Sequence, residues 1–146
     1  MALDKLLGIS LESVQADAAA IARLLEAAQT SLADARLKSL SNEGRFDMAY
    51  KAIMQSANAA LQANGFRTLT SKPGHHQTMI QTLVTTIGLE RETMVQLDAL
   101  RKQRNVIDYS GDVVSAAMAD DAVQHAEALL QGVRAWLRKN KPELLS

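Results

Sequence analysis

The 146-residue sequence has no cysteine, two prolines and only five aromatic residues: one Trp, two Tyr and two Phe. Without thiols there are no disulfides, no cysteine nucleophile, no thiolate zinc site and no cysteine-ligated iron–sulfur cluster. An excess of one charge is also missing. Lys and Arg number 16 and Asp and Glu number 16, so the formal net charge is zero. This excludes a uniformly basic nucleic-acid coat and leaves room only for a local patch. Long apolar runs are lacking too. The stretch from Met1 to Leu11 contains Asp4 and holds no apolar run long enough for a signal peptide or a membrane span, so a soluble cytoplasmic protein is expected. No phosphate-cradling glycine loop, serine nucleophile elbow or HExxH pattern occurs. The three histidines, His75, His76 and His125, lack the spacing of a metal motif. Neither a metal nor a cofactor is expected.

What is present is helix-forming sequence, 47% hydrophobic, with apolar residues recurring every three or four positions. The length suits one domain, 1–146, with its core over 14–137. The stripe Val14, Ala18, Ile21, Leu25, Ala28, Leu32, Ala35 predicts a first helix from Leu11 to Lys38, with Ser10 as its cap and Glu12 in its first turn. Ser41 caps a second helix, striped by Phe46, Tyr50, Ile53, Ala57 and Leu61 and stopped at Gly65. Residues Phe66 to Gly74 read as a loop, broken at Lys72-Pro73-Gly74. A third helix is expected from His75 to Gly88, weakened by Thr78, Thr82, Thr85 and Thr86. The fourth runs from Glu90 to Val106 with Met94, Leu97 and Leu100 inward, and Tyr109-Ser110-Gly111-Asp112 breaks the pattern after it. The last, Ser115 to Lys139, carries Ala122, Ala126, Leu129, Val133 and Trp136 and ends at Asn140 and Pro142. No segment keeps a period of two. The expected fold is all-α, an antiparallel up-and-down bundle of about five helices, four of them forming the core.

One position breaks the inward pattern. Two turns after Leu97, where the fourth helix's stripe calls for another apolar residue, stands Arg104. A guanidinium on an apolar face needs an anion or a polar network, because an unpaired buried charge is costly. Two readings follow. Arg104 forms a structural ion pair, either with Asp108 four residues on or with an acid of another helix. Alternatively it lines a cleft and binds a phosphate or nucleotide, to which its forked donors are suited. Asn105 and Tyr109 add polar groups, and Arg91, Arg101 and Lys102 make this helix locally basic.

The segment Arg101-Lys102-Gln103-Arg104-Asn105-Val106-Ile107-Asp108-Tyr109, which closes a helix before a long final one, resembles the HEPN family. Two further stretches are similar: Ser41-Asn42-Glu43-Gly44-Arg45-Phe46 before Ala49-Tyr50-Lys51-Ala52, and the Lys72-Pro73-Gly74-His75-His76 loop. The resemblance spans roughly residues 14 to 137, and only Arg104-Asn105 is a specific motif. It implies a helical bundle of the kind found in bacterial toxin–antitoxin systems, nucleotidyltransferase partners and RNA-targeting nucleases, commonly as a homodimer. The family's motif sets a histidine after the arginine and a polar residue. In this chain Tyr109 stands at that place. With an ordinary pKa of about 10 a tyrosine is a poor base, whereas a histidine titrates near neutrality. The resemblance therefore implies a non-catalytic or weakly active module that binds a nucleotide, an RNA phosphate or a partner enzyme such as a nucleotidyltransferase. Its expected ligand-binding residues are Arg101, Arg104, Asn105, Asp108, Tyr109, His75 and His76.

Two other classes stay open. One is a metal-independent ribonuclease toxin in which Asp108, Tyr109, His75 or His76 replaces the histidine and Arg104 assists. The other is a structural or protein-interaction bundle. His75 and His76 point about 100° apart on a helix and do not chelate one metal well; they are either loop histidines or phosphate contacts at a helix start. His125 reads as a satisfied interface histidine. Asp112, Asp120, Asp121 and Glu127, like Arg134, Arg138, Lys139 and Lys141, suit the dipole of the last helix. Met48, Met54, Met79, Met94 and Met118 read as core filling.

Overall fold

A computed structural model describes residues 2–145. A 3-10 turn, Ala2–Leu6, leads to strand β1 (Leu11–Ser13), helix α1 (Ala18–Ala35), helix α2 (Asn42–Ala63), strand β2 (Phe66–Thr68) and two short helices, α3 (His75–Gln81) and α4 (Leu83–Thr86). Helices α5 (Arg91–Ser110) and α6 (Ala116–Asn140) follow, and a turn at Pro142–Leu144 closes the chain. The architecture is the expected all-α bundle with one two-stranded antiparallel ribbon added. Among the described residues no helix is long and apolar enough to cross a membrane.

Side chains at the helix starts take up backbone N–H groups that the helices leave free. Ser41 Oγ accepts from Gly44 N at 3.0 Å, and Ser115 Oγ accepts from Met118 N at 3.1 Å. The first helix begins later than its stripe predicts. Asp17, not Ser10, caps it, accepting from Ala19 N at 3.3 Å. The residues before it are extended because their backbone groups pair across the chain. Glu12 lies opposite Arg67 in the ribbon, Val14 N donates to Gly65 O at 2.9 Å, and Leu69 N donates to Ser10 O at 2.9 Å. The first third of the stretch read as a loop after Gly65 is thus the second strand.

The third helix is divided at Thr82, whose hydroxyl donates to Met79 O at 3.1 Å and bends the chain between α3 and α4. The fourth runs four residues past Val106. Ser110 Oγ donates back to Val106 O at 2.7 Å, and Gly111, at φ 71°, supplies the left-handed stop with its N–H on Ile107 O. Tyr109 therefore belongs to α5 rather than to a break.

Helix α2 lies between α1 and α6. Its buried face is mostly small: Ala49, Ala52, Ala57, Ala59, Ala60 and Ala63 accompany Phe46, Ile53 and Leu61. Ala28 and Ala35 on α1 and Ala119, Ala122 and Ala126 on α6 are buried with them. Small side chains on facing helices let the axes approach closely. Arg45 ties the three helices at one end, donating from Nε to Ala35 O at 2.9 Å and from Nη2 to Asp120 Oδ1 at 2.8 Å. Helix α5 stands apart from this trio. It packs chiefly on α3 and touches α2 only sparsely, burying Leu97, Leu100 and Ile107.

Replacing Ala60, fully buried on α2, by leucine should overfill this packing and cost about 1–3 kcal/mol or more. Denaturant unfolding measures it. An unchanged midpoint would mean that the three helices tolerate separation.

Candidate functional site

The sparse contact between α2 and α5 leaves an open cleft of about 410 Å³, with α3 along one side. Helix α2 contributes a polar file of Asp47, Lys51, Gln55 and Asn58, whose spacing of four, four and three keeps it on one face. Tyr50, Met48 and Met54 of α2, His76 and Met79 of α3, and Arg104 of α5 complete the lining.

Arg104 reaches from α5 across to α2. Its guanidinium carbon lies 5.0 Å from the centroid of the Tyr50 ring, within cation–π range. Its Nε is 3.7 Å from Asp47 Oδ1, an ion pair too long for a hydrogen bond. Nε is itself buried and makes no hydrogen bond, although the side chain as a whole is 36% exposed. The acid facing Arg104 is therefore Asp47 of another helix, not Asp108. The exposed Asp108 carboxylate keeps its water but stays close enough to act on Asp47. Asp47 has its pKa raised. Desolvation is the main cause, with Arg104 opposing it and Asp108 and Glu43 adding like-charge repulsion.

Behind Arg104 lies a tyrosine–histidine pair. Tyr50 Oη and His76 Nδ1 are 3.2 Å apart and share a hydrogen bond. Burial outweighs the nearby cations Arg104 and Arg101 and pushes the Tyr50 hydroxyl up to about 12, so it stays protonated. The His76 pKa is lowered, first by burial and then by His75, Arg104 and Arg101. Near neutral pH the imidazole is therefore uncharged. When Tyr50 donates to Nδ1, Nε2 carries the hydrogen and is a donor. When Nδ1 donates to Tyr50, Nε2 is a base.

The other expected site residues divide into two groups. His75 stacks edge-on against His76 at 4.6 Å, and with Arg101, Asn105 and Gln77 these two line a shallow depression of about 240 Å³ on the other side of His76. Arg101 is held by Asp98, its Nε donating to Oδ1 at 2.7 Å, and Lys102 approaches the same carboxylate at 3.7 Å. Tyr109 is 93% exposed and does not line the cleft. His125 lies 3.6 Å from Asp121 and borders a small, partly open cavity between α5 and α6. Sequence reasoning missed Asp47, Tyr50, Lys51, Gln55 and Asn58. The polar file along the outer face of the second helix was the signal that would have found them. The methionines do pack in or against the core as read, and Met48, Met54 and Met79 also line the cleft.

The helices and their cleft define an α-helical bundle with an arginine held between two of its members. A model of the HEPN domain matches residues 21–136, most of the chain, and the protein belongs to that family. HEPN domains are nucleotide- or RNA-related modules, some of them ribonucleases. Comparison with curated proteins and with solved structures returned no match.

The depressed His76 pKa gives stability a defined pH dependence. Below its ordinary value of 6.5 the unfolded chain binds a proton that the folded chain resists, so stability falls as pH drops through 6.5 towards the lowered value. Asp47 works in the opposite sense, from its ordinary 3.8 upward. The melting temperature should fall between pH 8 and pH 5.5, and less steeply in His76→Gln. Parallel curves for the two proteins would contradict this.

Proposed function

We propose that the cleft binds the phosphate of a nucleotide or RNA on Arg104, and that the protein acts as a binding module with little or no catalysis of its own. The observation that carries this reading is the buried, unbonded Arg104 Nε, facing a carboxylate that it does not hydrogen-bond. A structural salt bridge would close to hydrogen-bonding distance. An arginine whose Nε is buried and loosely paired, and whose head is partly exposed to the cleft, retains donors for an incoming anion. Lys51 and the Nε2–H tautomer of His76 add donors on the same cleft, while Asp47 competes with the ligand. Of the other residues expected to bind, His75, Arg101 and Asn105 lie beside His76, where they can meet a longer ligand. Asp108 and Tyr109 have no direct contact with the phosphate in this reading.

Arg104→Ala and Asp47→Asn should move affinity in opposite directions. Titration with inorganic phosphate, mononucleotides and short RNA should show a loss of about tenfold or more for the first and a gain for the second. A few kcal/mol of lost stability in Arg104→Ala, with no ligand bound by either protein, would leave Arg104 as a purely structural residue.

A second reading is favoured by the Tyr50–His76 pair. In the tautomer with Nδ1 donating to Tyr50, His76 Nε2 can take the proton of an RNA 2′-hydroxyl. The 2′-oxygen then bonds to phosphorus, the bond to the 5′-oxygen breaks, and that oxygen takes a proton from water, with Arg104 steadying the phosphorus oxyanion. Here His76, from a different helix, does the work that the motif position with Tyr109 cannot. RNA cleavage that disappears in both His76→Gln and Arg104→Ala would favour this reading over simple binding.

We also propose that the chain forms a homodimer through the outer face of α5. Val95, Ala99, Lys102, Val106 and Tyr109, with Val113 beyond the helix, follow one another at spacings of four and three, and all are exposed. That is the period of a helix–helix seam. Read antiparallel about its own midpoint, the seam sets Ala99 against Tyr109 of the partner subunit, small against large, as a two-fold contact requires. Light scattering should show Val106→Asp to be a monomer of unchanged helicity. A monomeric wild type would leave this face to a partner enzyme such as a nucleotidyltransferase.

A further inference from the structure

His76 and Arg104 line the same cleft from adjoining helices, and Tyr50 of α2 touches both. The Tyr50 ring centroid is 5.0 Å from the guanidinium carbon, and its hydroxyl is 3.2 Å from His76 Nδ1. The titratable and charged groups around this imidazole come from three helices. Helix α2 brings Asp47, Tyr50 and Lys51 to the cleft, and α3 brings His75, whose ring centroid is 4.6 Å from that of His76. Helix α5 brings Arg104 and Arg101, the second held by Asp98. Helix α4 carries no titratable side chain, and Arg67 of β2 is paired with Glu12. Burial, and then His75, Arg104 and Arg101, keep a proton off His76. An anion on Arg104 reverses this balance, because its charge offsets the arginine and faces the ring across the same cleft. The contact with Tyr50 is no obstacle. A phenol hydroxyl donates to a neutral Nδ1 and accepts from a protonated one, so the pair holds in either state.

We propose that an anion binding to Arg104 brings a proton onto His76, which becomes the cleft's second cationic ligand, so that the site binds more tightly as pH falls. The inference rests on the phosphate reading above and adds its dependence on protons. Linkage fixes the sign. His76 takes up a proton wherever the free protein leaves it neutral and the complex charges it. Across that window affinity gains up to about tenfold per pH unit as pH falls. Below the lowered value of the free chain the gain stops, because His76 is already charged. Asp47 acts in the same direction, since its protonation removes a competitor for Arg104. A test has to separate the two groups.

Sulfate is the suitable probe, because it keeps both charges throughout, whereas a phosphate monoester changes charge near a pH of about 6. Calorimetric titration of the full chain at pH 7.5 and pH 5.5, each in two buffers of different ionisation enthalpy, reads affinity and proton uptake together. Sulfate should bind about fivefold or more tightly at the lower pH, with net uptake of protons. Histidine NMR of the wild type should show the His76 pKa rising on saturation with sulfate, while that of His125, outside the cleft, stays in place. Proton uptake should disappear in His76→Gln, checked for native helicity and melting, and persist in Asp47→Asn. Uptake that persists in His76→Gln and disappears in Asp47→Asn overturns the proposal in favour of the carboxylate. Equal affinity at the two pH values, without uptake, overturns the coupling but keeps Arg104 as an anion site. Absence of binding by sulfate and inorganic phosphate at either pH overturns both.

Discussion

Alanine at the contacts of α2 allows α1 and α6 to approach that helix from two sides at once, and the rest of the molecule is arranged around the consequence. A helix enclosed in this way has little surface left, and what remains on α2 is the file from Asp47 to Asn58. Larger side chains at Ala57 or Ala60 would hold the neighbours apart and open α2 to solvent along its length. With the trio closed, α5 reaches the core only through Leu97, Leu100 and Ile107 and packs chiefly on the short α3. The cleft exists because a fourth long helix was left leaning on short ones.

The electrostatics of the cleft follow from that placement. Burial along the cleft pushes three of its groups towards their uncharged forms: Asp47 upward, Tyr50 upward, His76 downward. Arg104 is the exception, since a guanidinium cannot shed its proton at any ordinary pH. A fixed cation among groups that resist ionising has its field only partly cancelled. Asp47 at 3.7 Å and the Tyr50 ring at 5.0 Å keep it in position without using up its donors.

Much of the bundle was legible in the residues. Ser41 is a recognisable cap, the stripes of the second and last helices point to buried positions, and Arg104 stands out because it interrupts an apolar face. The failures have physical causes. Val14 fits a helical stripe, but periodicity does not register that its N–H goes to Gly65 O, a partner fifty-one residues away in the chain. Tyr109 sits beside Ser, Gly and Asp and so reads as a break, yet Gly111 alone ends α5. The pairings Arg104–Asp47 and Tyr50–His76 each join two helices, and one-dimensional spacing shows only which face a residue occupies, not what it meets. The family motif points to Tyr109, five residues along from Arg104, whereas the imidazole that lines the cleft with Arg104 is that of His76.

The ribbon at the start of the chain has an effect out of proportion to its size. Leu3 and Leu11 are 2% and 0% exposed, and β1 holds β2, from which the chain runs through a short loop into α3 and its His76. The match to the HEPN domain begins only at residue 21. Cut there, the remainder would keep α2 to α6 and all of α1 but its first turn and its Asp17 cap. It would lose the strand that anchors the approach to α3, and core side chains that Leu3 and Leu11 cover would meet water. The family match and the buried core thus begin at different residues. Residues 2–20, none of which lines the cleft, thus bear on where one wall of that cleft stands.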